Sequence, residues 1–438
     1  MIMDPLIATI FEPEWYLDRN PDVKQAGINP LNHYLQFGAF EGRDPNALFD
    51  SDWYLSSNSD VQCTGANPLV HYITTGEVEG RDPHPLFNSN WYRSQNKLEN
   101  GVNALAHFVS RGAASTGPNP LFAIGTDWSD VPVRMAAEHT VLCSGDVSAP
   151  KVSIIIPVWN KESYLPDCIR SLLAQDMDQI ELLFIDDHSS DKSSSILLEF
   201  ASSHTSMTVV RLKSNCGPGT ARNIGIALAQ GEFVQFTDAD DVLPPDAIQS
   251  LYASAVNDGA DLVRGAMGTL GDETRSAISS LPSVQRHSFR LREEPSIWTP
   301  WLHTTFLFSR HKLLQSGTRY PDLRDGEDPV FVAQALARAE LITALNHVTY
   351  LRRPGTGHDR SGLLHIIDFI RHASAVKKTY CKCVPKAWYD GYARFLADHY
   401  SDCFIRGMKK SATASQLIGA ALARAGLTED FLTHDQNR

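Results

Sequence analysis

Three aspartates lie within four residues after the apolar stretch FVQF: Asp238, Asp240 and Asp241. Carboxylates this close repel one another, which raises the pKa of at least one of them unless a cation lies nearby. An EF-hand calcium loop does not fit, because Val242 and Leu243 stand where that loop needs a ligand and a glycine. Magnesium and manganese fit better, since they typically take one or two carboxylates and complete their shell with water and phosphate. The sequence therefore predicts a Mn²⁺ or Mg²⁺ site shared with a phosphate-bearing ligand.

Strand-like and helix-like stretches alternate after Lys151. The strand-like runs KVSIIIPVWN, IELLFIDDHSSD, MTVVRLKSN and GEFVQFTDADD are separated by segments with helical spacing, such as ESYLPDCIRSLLAQ. This pattern is typical of an α/β fold with a mainly parallel sheet covered on both faces. Ligands of such sheets bind at the carboxyl ends of the strands. Polar residues follow three of these ends: Asn160, Asp186, Asp187 and the three aspartates.

The loop NCGPGTARNIG contains two closely spaced glycines, Gly217 and Gly219. A dinucleotide-binding fingerprint would need a small third residue where Arg222 stands, so a Rossmann dehydrogenase is disfavoured. A Walker phosphate loop does not occur in the sequence. The loop is therefore interpreted as a strand-to-helix turn, and Arg222 in the helix that follows is assigned to the nucleotide-sugar site discussed below.

Four motifs in order resemble family 2 glycosyltransferases, which are inverting enzymes with the GT-A fold. They are SIIIPVWNKESYLPDCIRSLLAQ, FIDDHSSD, NCGPGTARNIGIALAQGEFVQFTDADD and DGEDPVF, and they cover residues 151–355. The resemblance implies a metal-dependent enzyme that moves a sugar from a nucleoside-diphosphate sugar, expected to be UDP-linked, to a glycan or lipid-linked acceptor. Two departures from the family pattern are His188, where a glycine is usual, and Pro218 between the two glycines.

The resemblance also assigns roles to individual residues. Asp187 is expected to contact the nucleotide base, and Asp238 and Asp240 are expected to handle the ribose and the metal-bound diphosphate. The remaining residues expected to line the nucleoside pocket are Pro157, Asn160 and Glu162. In this reading, the divalent cation and its diphosphate relieve the crowding of the aspartates.

An inverting transfer also needs a carboxylate that takes the proton of the acceptor hydroxyl. The motif RDGEDPVF supplies Asp328 as the expected base, with Glu327 as the alternative. Acidic residues are also common at helix N-termini for electrostatic reasons alone. The match to the family motif favours the catalytic interpretation.

Two further segments contain candidate ligand-binding residues. In YLRRPGTGHDRSG, Arg352 is assigned to the donor phosphates and His358 to the metal shell, from a Gly-rich segment that closes over the donor. Arg353 of the same segment is a further candidate for binding phosphate. In WTPWLHTTFLF, Trp298 and Trp301 are candidates for stacking on an acceptor sugar, although both could equally be core residues.

The first 122 residues repeat at a spacing of about 37 residues, which is typical of stacked supersecondary units. Each copy predicts two short helices, one from a Trp-Tyr pair and one from an NPLxHY-like segment with an Asn cap. The recurring histidine is interpreted as a hydrogen-bonded packing residue rather than a metal ligand. We predict a docking or spacing module over 1–122, a linker over 123–150, the GT-A domain over 151–355 and a helical extension over 356–438.

Composition and charge limit the possible partners and location. The net charge of −12 argues against a broad nucleic-acid-binding face, and no apolar run is long enough to span a bilayer. Seven scattered cysteines and an N-terminus unlike a secretory signal indicate a cytoplasmic protein, at most peripheral to a membrane. A protein partner is a possible ligand of the repeats.

Two other functions compete with the glycosyltransferase interpretation. The GT-A half could be an inactive scaffold, so that a carbohydrate-binding or docking function of the repeats dominates. The sequence retains all four acidic residues expected for activity, which argues against the inactive scaffold. They are Asp187, Asp238, Asp240 and Asp328. A nucleotidyltransferase would need a Gly-rich, basic loop after the first strand, and PVWNKES does not provide one.

Overall fold

The computed structural model describes residues 5–111, 133–272, 285–294, 297, 303–323, 326–355, 363–383, 385, 418–419 and 422. The chain divides into two compact units. The first comprises Met1–Trp128, Asp359–Ile370 and Arg394–Arg438, and the second comprises Ser129–His358 and Arg371–Ala393. Trp298, Trp301, His358 and nearly all of the C-terminal extension beyond 383 lie outside the described residues.

The first unit contains short helices that follow the sequence repeat. They are α1 (Pro5–Ile10), α2 (Pro13–Arg19), α3 (Pro21–Gln25), α4 (Pro30–Gln36), α5 (Ser51–Ser57), α6 (Ser59–Thr64), α7 (Pro68–His71), α8 (Ser89–Asn96) and α9 (Ala104–Arg111). The Asn29 side chain caps α4, and Pro30 occupies its first turn, as the repeated motif predicts. Each of the first two copies has one helix more than predicted, α3 or α6, between the two expected helices.

The repeated histidines make the same contact in each copy of the repeat. In each, Nδ1 of the histidine lies within hydrogen-bond distance of a buried tyrosine hydroxyl, and the pairs are Tyr16–His33 at 2.9 Å, Tyr54–His71 at 2.9 Å and Tyr92–His107 at 3.1 Å. A buried tyrosine hydroxyl needs such a partner. The interpretation of these histidines as packing residues is therefore confirmed.

The described part of the second unit forms one nine-stranded sheet. Its strands are β1 (His139–Cys143), β2 (Val152–Val158), β3 (Ile180–Asp186), β4 (Met207–Leu212), β5 (Phe233–Phe236), β6 (Leu262–Thr269), β7 (Arg286–Phe289), β8 (Phe306–Ser309) and β9 (Ile342–Arg352). Their order across the sheet is β1-β4-β3-β2-β5-β8-β6-β9-β7.

The helices of the second unit connect these strands. They are α10 (Leu165–Leu173), α11 (Ser193–Ala201), α12 (Pro218–Leu228), α13 (Ala247–Asp258), α14 (Arg310–Ser316) and α15 (Glu327–Arg338). A further helix, α16 (Leu363–Tyr380), contains the boundary between the two units. In the part of the chain that the structure describes, no helix combines the length and apolar character needed to span a bilayer.

The strands predicted from sequence form the parallel half of the sheet. Strand β2 pairs in parallel with both β3 and β5, and β3 pairs in parallel with β4. Strand β8 then runs antiparallel to both β5 and β6, so the sheet as a whole is mixed. Because β2, β3 and β5 are parallel neighbours, the polar residues that follow them meet at one edge of the sheet.

Helix α12 packs unusually closely on the centre of the sheet. A Cβ atom at Gly225 would lie only 2.3 Å from Ile155 Cγ2 of β2. The side chains Ile224 and Ile226 on either side of this glycine are buried, whereas Ala227 is exposed. Arg222 lies in the same helix, one turn before Gly225. The close contact at Gly225 therefore helps to fix the distance between Arg222 and the sheet.

We expect Gly225→Val to lower the free energy of unfolding by about 2–3 kcal/mol, because the added methyl groups would overlap β2. The matched control, Ala227→Val, adds the same kind of side chain on the exposed face of α12 and should cost well under about 1 kcal/mol. Urea denaturation of the full chain provides the measurement. Equal stabilities of the two variants would contradict the proposed packing constraint.

Candidate active site

The first two aspartates after β5 are each paired with a cation of the protein. Asp238 Oδ1 accepts a hydrogen bond from Arg222 Nη2 at 2.9 Å, and Asp240 Oδ2 accepts one from Lys161 Nζ at 2.6 Å. Lys161 follows β2, the parallel neighbour of β5, so the sheet itself brings the two ends together. The crowded carboxylates are thus neutralised by a guanidinium and an ammonium group, even without an added metal ion.

The third aspartate, Asp241, is stabilised in a different way. Its Oδ2 accepts a hydrogen bond from the Tyr350 hydroxyl at 2.7 Å, and its Oδ1 accepts one from the Arg353 backbone N–H at 2.7 Å. Burial and the nearby Asp238 charge raise the pKa of Asp241 to about 7, against the opposing effect of these hydrogen bonds. Asp241 therefore fixes the end of β9 to the loop of residues 237–241 that carries the three aspartates, called the aspartate loop below.

Arg222 joins the aspartate loop to the start of α15. Its side chain is only 4% exposed, and Nη1 donates to Glu327 Oε1 at 3.0 Å and to Asp328 Oδ1 at 3.1 Å while Nη2 contacts Asp238. Burial alone would lower the pKa of this guanidinium, but the charges of Asp328, Asp238 and Glu327 raise it well above its ordinary value. One buried cation therefore holds the predicted donor aspartate and both predicted base residues.

The two candidate bases differ in their access to solvent. The Asp328 side chain is 25% exposed, whereas the Glu327 side chain is 10% exposed. Asp328 Oδ2 also lies 2.9 Å from Nδ1 of the buried His303, although the ring is not aligned for a hydrogen bond. Asp328 is the more open carboxylate, and it is held between two nitrogen-bearing side chains.

The predicted nucleoside-pocket residues connect the loops after β2 and β3. Asn160 Oδ1 accepts a hydrogen bond from the Ser190 backbone N–H at 2.8 Å, and Glu162 Oε2 accepts one from the Lys192 backbone N–H at 2.9 Å. Asn160 has φ 51°, a left-handed conformation that asparagine tolerates better than most residues. Pro157 lies half-buried in β2. These contacts fix the two loops beside the aspartates.

Asp187 lies at the end of β3 and orders the loop before α12. Its carboxylate accepts hydrogen bonds from the backbone N–H groups of Cys216 at 2.7 Å and Gly217 at 2.8 Å. Burial raises the pKa of Asp187, and these two hydrogen bonds oppose the rise. The next residue, His188, has φ 62°, a conformation that favours glycine. The residue type departs from the family pattern here, but the backbone keeps the left-handed conformation that glycine would adopt readily.

The two arginines after β9 occupy different positions. Arg353 Nε donates to the Asp240 backbone carbonyl at 2.9 Å, and its backbone N–H binds Asp241. Arg352, the predicted phosphate ligand, is exposed. Of these two arginines, Arg353 is the one that contacts the aspartate loop.

Asp238 and Asp240 supply the oxygen donors that a hard divalent cation prefers. Within the described ranges, no group of three or more histidine, cysteine or acidic side chains is arranged to hold a metal ion. Two carboxylates are nevertheless enough for magnesium or manganese when phosphate and water complete the shell. Each of these carboxylates also has a second oxygen that accepts no hydrogen bond from the described residues. The donor set fits a cation brought in with a diphosphate.

Sequence reasoning missed two residues of this site and left another unassigned. Lys161 and His303 were not singled out as site residues, and Arg353 was named only as a possible phosphate ligand. Lys161 carried a usable signal, since it directly follows Asn160 at the end of the strand next to β5. His303 carried no such signal, because it lies 25 residues before Asp328 in the chain.

Comparison with known proteins identifies the family of the domain that contains most of this site. Residues 153–315 match the model of glycosyl transferase family 2. This region is a family 2 glycosyltransferase domain. A crystal structure of a Staphylococcus aureus TarS fragment in complex with UDP aligns with a TM-score of 0.52 and 21% identity over 66% of this chain and 92% of that one. At that identity the alignment establishes the GT-A fold alone, which confirms the predicted fold class.

The curated relatives share only part of their length with this chain. The uncharacterized glycosyltransferase EpsJ of Bacillus subtilis is 29% identical over 47% of this chain and 61% of its own length. The poly(ribitol-phosphate) beta-N-acetylglucosaminyltransferase TarS of S. aureus is 28% identical over 46% of this chain and 35% of its own. The chain thus spans between about a third and three fifths of these two family 2 relatives.

We expect Arg222→Met to lower the free energy of unfolding by about 3 kcal/mol, because it removes the buried counter-ion of the nearly buried Glu327 and of the partly exposed Asp238 and Asp328. Urea denaturation of the full chain provides the measurement. Arg170→Met removes an arginine whose pair with Asp167 is largely exposed, and should change stability by under about 1 kcal/mol. Equal losses of stability in Arg222→Met and Arg170→Met would contradict this account.

Proposed function

We propose that the protein transfers a sugar, with inversion, from a nucleoside-diphosphate sugar to a glycan or lipid-linked acceptor. The observation that carries this proposal is the Arg222 bridge, which places Asp238 and Asp328 on two nitrogens of one guanidinium. A donor-site carboxylate and a candidate base therefore contact the same guanidinium group and are separated only by it. Inverting transfer needs that proximity, because the base and the departing diphosphate act on opposite sides of one carbon.

Asp328 is the base in this proposal. It is the more exposed of the two α15 carboxylates, and its Oδ1 accepts from Arg222 while its Oδ2 faces His303. The hydrogen bond from Arg222 orients the carboxylate, so that it can take the proton of the acceptor hydroxyl as the new bond forms. Glu327, which is more deeply buried on the same guanidinium, is a positioning residue.

The donor nucleotide would lie across the carboxyl ends of β2, β3 and β5. The nucleoside is proposed to bind beside the loops that follow β2 and β3. These loops are fixed by contacts of Asp187, Asn160 and Glu162, and Pro157 lies in β2 next to them. A divalent cation held by Asp238 and Asp240 would neutralise the diphosphate of the leaving group. UDP is the first nucleotide to consider, because the aligned TarS fragment was solved with it.

The remaining assignments are also part of the proposal. We assign the protein to the cytoplasm, at most peripherally at a membrane, and the repeats to docking a protein partner or spacing the domain. Trp298 and Trp301 remain candidates for the acceptor site, and Arg352 and His358 for closure over the donor. The alternative is a catalytically inactive domain whose repeats carry the function. The intact set of Asp187, Asp238, Asp240 and Asp328 favours the enzyme.

The donor class can be tested by isothermal titration with UDP, GDP and CDP, each with and without manganese. We expect one nucleotide to bind with a Kd that improves by at least about tenfold when manganese is present. Asp240→Ala should remove the manganese effect, because it removes one of the two proposed ligands. Asp178→Ala is the matched control, since it removes an exposed carboxylate near the opposite edge of the sheet. Failure of every nucleotide to bind would support the inactive alternative.

The base can be tested by substitution within the acid pair. We expect Asp328→Asn to lower turnover by about 10²–10⁴ while nucleotide binding persists, because the amide cannot accept the proton. The companion variant, Glu327→Gln, should lose less turnover. Release of nucleoside diphosphate from the preferred donor gives the rate, and titration gives the binding. Full activity of Asp328→Asn alongside loss of activity in Glu327→Gln would reassign the base to Glu327.

A further inference from the structure

Lys161 occupies one of the two carboxylate oxygens of Asp240, a proposed ligand of the divalent cation. Its Nζ lies 2.6 Å from Asp240 Oδ2, and the Lys161 and Asp240 side chains are 19% and 11% exposed. The pair is therefore mostly shielded from water, where an ion pair is stronger than at an open surface. The other aspartate, Asp238, pairs with Arg222.

The two protein cations at these aspartates differ in how freely they can move. The Arg222 head group is buried and contacts three carboxylates, so its removal from one would disturb all of them. Lys161 makes a single side-chain hydrogen bond among the described residues, the one to Asp240. Its backbone N–H is anchored to Ser193 Oγ at 2.9 Å. The base of the side chain is thus fixed, while four methylene groups allow the ammonium group to swing.

We propose that Lys161 is an exchangeable counter-ion that neutralises Asp240 until a divalent cation arrives with the donor diphosphate. This inference rests on the proposed function, because it assumes the metal site at Asp238 and Asp240. It assigns to Lys161 a role that is neither catalytic nor that of a metal ligand. Lys161 instead makes metal binding depend on the presence of nucleotide.

The dependence follows from the charges at the site. A divalent cation arriving alone must displace the ammonium group from Asp240 Oδ2 or bind beside it, and both arrangements are opposed by repulsion between cations. A diphosphate brings negative charge that can receive the displaced ammonium group. Metal and nucleotide should then strengthen each other's binding, and by linkage the coupling must be reciprocal.

The test measures manganese binding directly, by electron paramagnetic resonance of free Mn²⁺ with the full-length protein. The variant is Lys161→Met, which keeps most of the side-chain volume and removes the charge. Without nucleotide, we expect Lys161→Met to bind Mn²⁺ about tenfold more tightly than the wild type, because no ammonium group competes for Asp240. With saturating UDP, we expect this advantage to disappear.

The matched control is Lys151→Met. Lys151 also forms an ion pair of 2.6 Å, with Glu232, but it lies at the start of β2, at the opposite edge of the sheet from the aspartates. Lys151→Met changes the net charge by the same amount as Lys161→Met, so a general electrostatic effect would appear in both variants. Our inference requires Mn²⁺ affinity to change in Lys161→Met and to stay at the wild-type value in Lys151→Met.

Several results would overturn the inference. Equal Mn²⁺ affinity in the wild type and Lys161→Met, abolished in both backgrounds by Asp240→Ala, would show that the metal site exists and that Lys161 does not compete for it. Weaker Mn²⁺ binding by Lys161→Met would show instead that Lys161 helps to form the site. Absence of Mn²⁺ binding in every variant, even with UDP, would reject both this inference and the metal site of the proposed function. Lys161→Gln provides a second variant if Lys161→Met fails to fold.

Discussion

The candidate site depends on one buried cation that the protein can accommodate only because three carboxylates surround it. Removing a guanidinium from water carries a large free-energy cost, and a single partner seldom offsets it. Arg222 meets that cost with Asp238, Glu327 and Asp328. The same arrangement solves the reverse problem, because three acidic groups could not lie so close together without a positive charge between them. The aspartate loop and the start of α15 therefore have to be described as one electrostatic unit.

The helix that carries Arg222 is built to deliver it to that position. Gly217 has φ 83° and lets the chain turn sharply from the Asp187 carboxylate into the helix. Pro218 follows at the first helical position, where a proline costs no hydrogen bond. Two turns later, Gly225 allows close contact with β2. Pro218 departs from the family pattern in sequence, yet it agrees with the geometry that the helix start requires.

Local sequence predicted much of the fold but only part of the site. The β-branched runs of β2 and β3 and the periodicity of α10 were sufficient, since each pattern is set by neighbours along the chain. The Arg222 bridge could not be predicted in this way, because Arg222 and Glu327 are separated by 105 residues. The sequence predicted a nucleotide-binding arginine, and the structure shows that this arginine also contacts three carboxylates. The helical repeats are an intermediate case, because their period was visible but the extra helices were not.

The three neighbouring aspartates show why a cluster of like charges has to be analysed atom by atom. Asp238 is balanced by a buried guanidinium that cannot easily leave, Asp240 by an ammonium group on a flexible chain, and Asp241 by a hydroxyl and a backbone amide. These partners differ in charge and in mobility, so the three carboxylates are not equivalent towards an incoming cation. Asp241 is engaged through both oxygens and anchors β9, whereas Asp238 and Asp240 each keep one oxygen that accepts no hydrogen bond from the described residues. The division between anchoring and binding is therefore set by the partners that the fold places beside each aspartate, and the shared residue type alone does not reveal it.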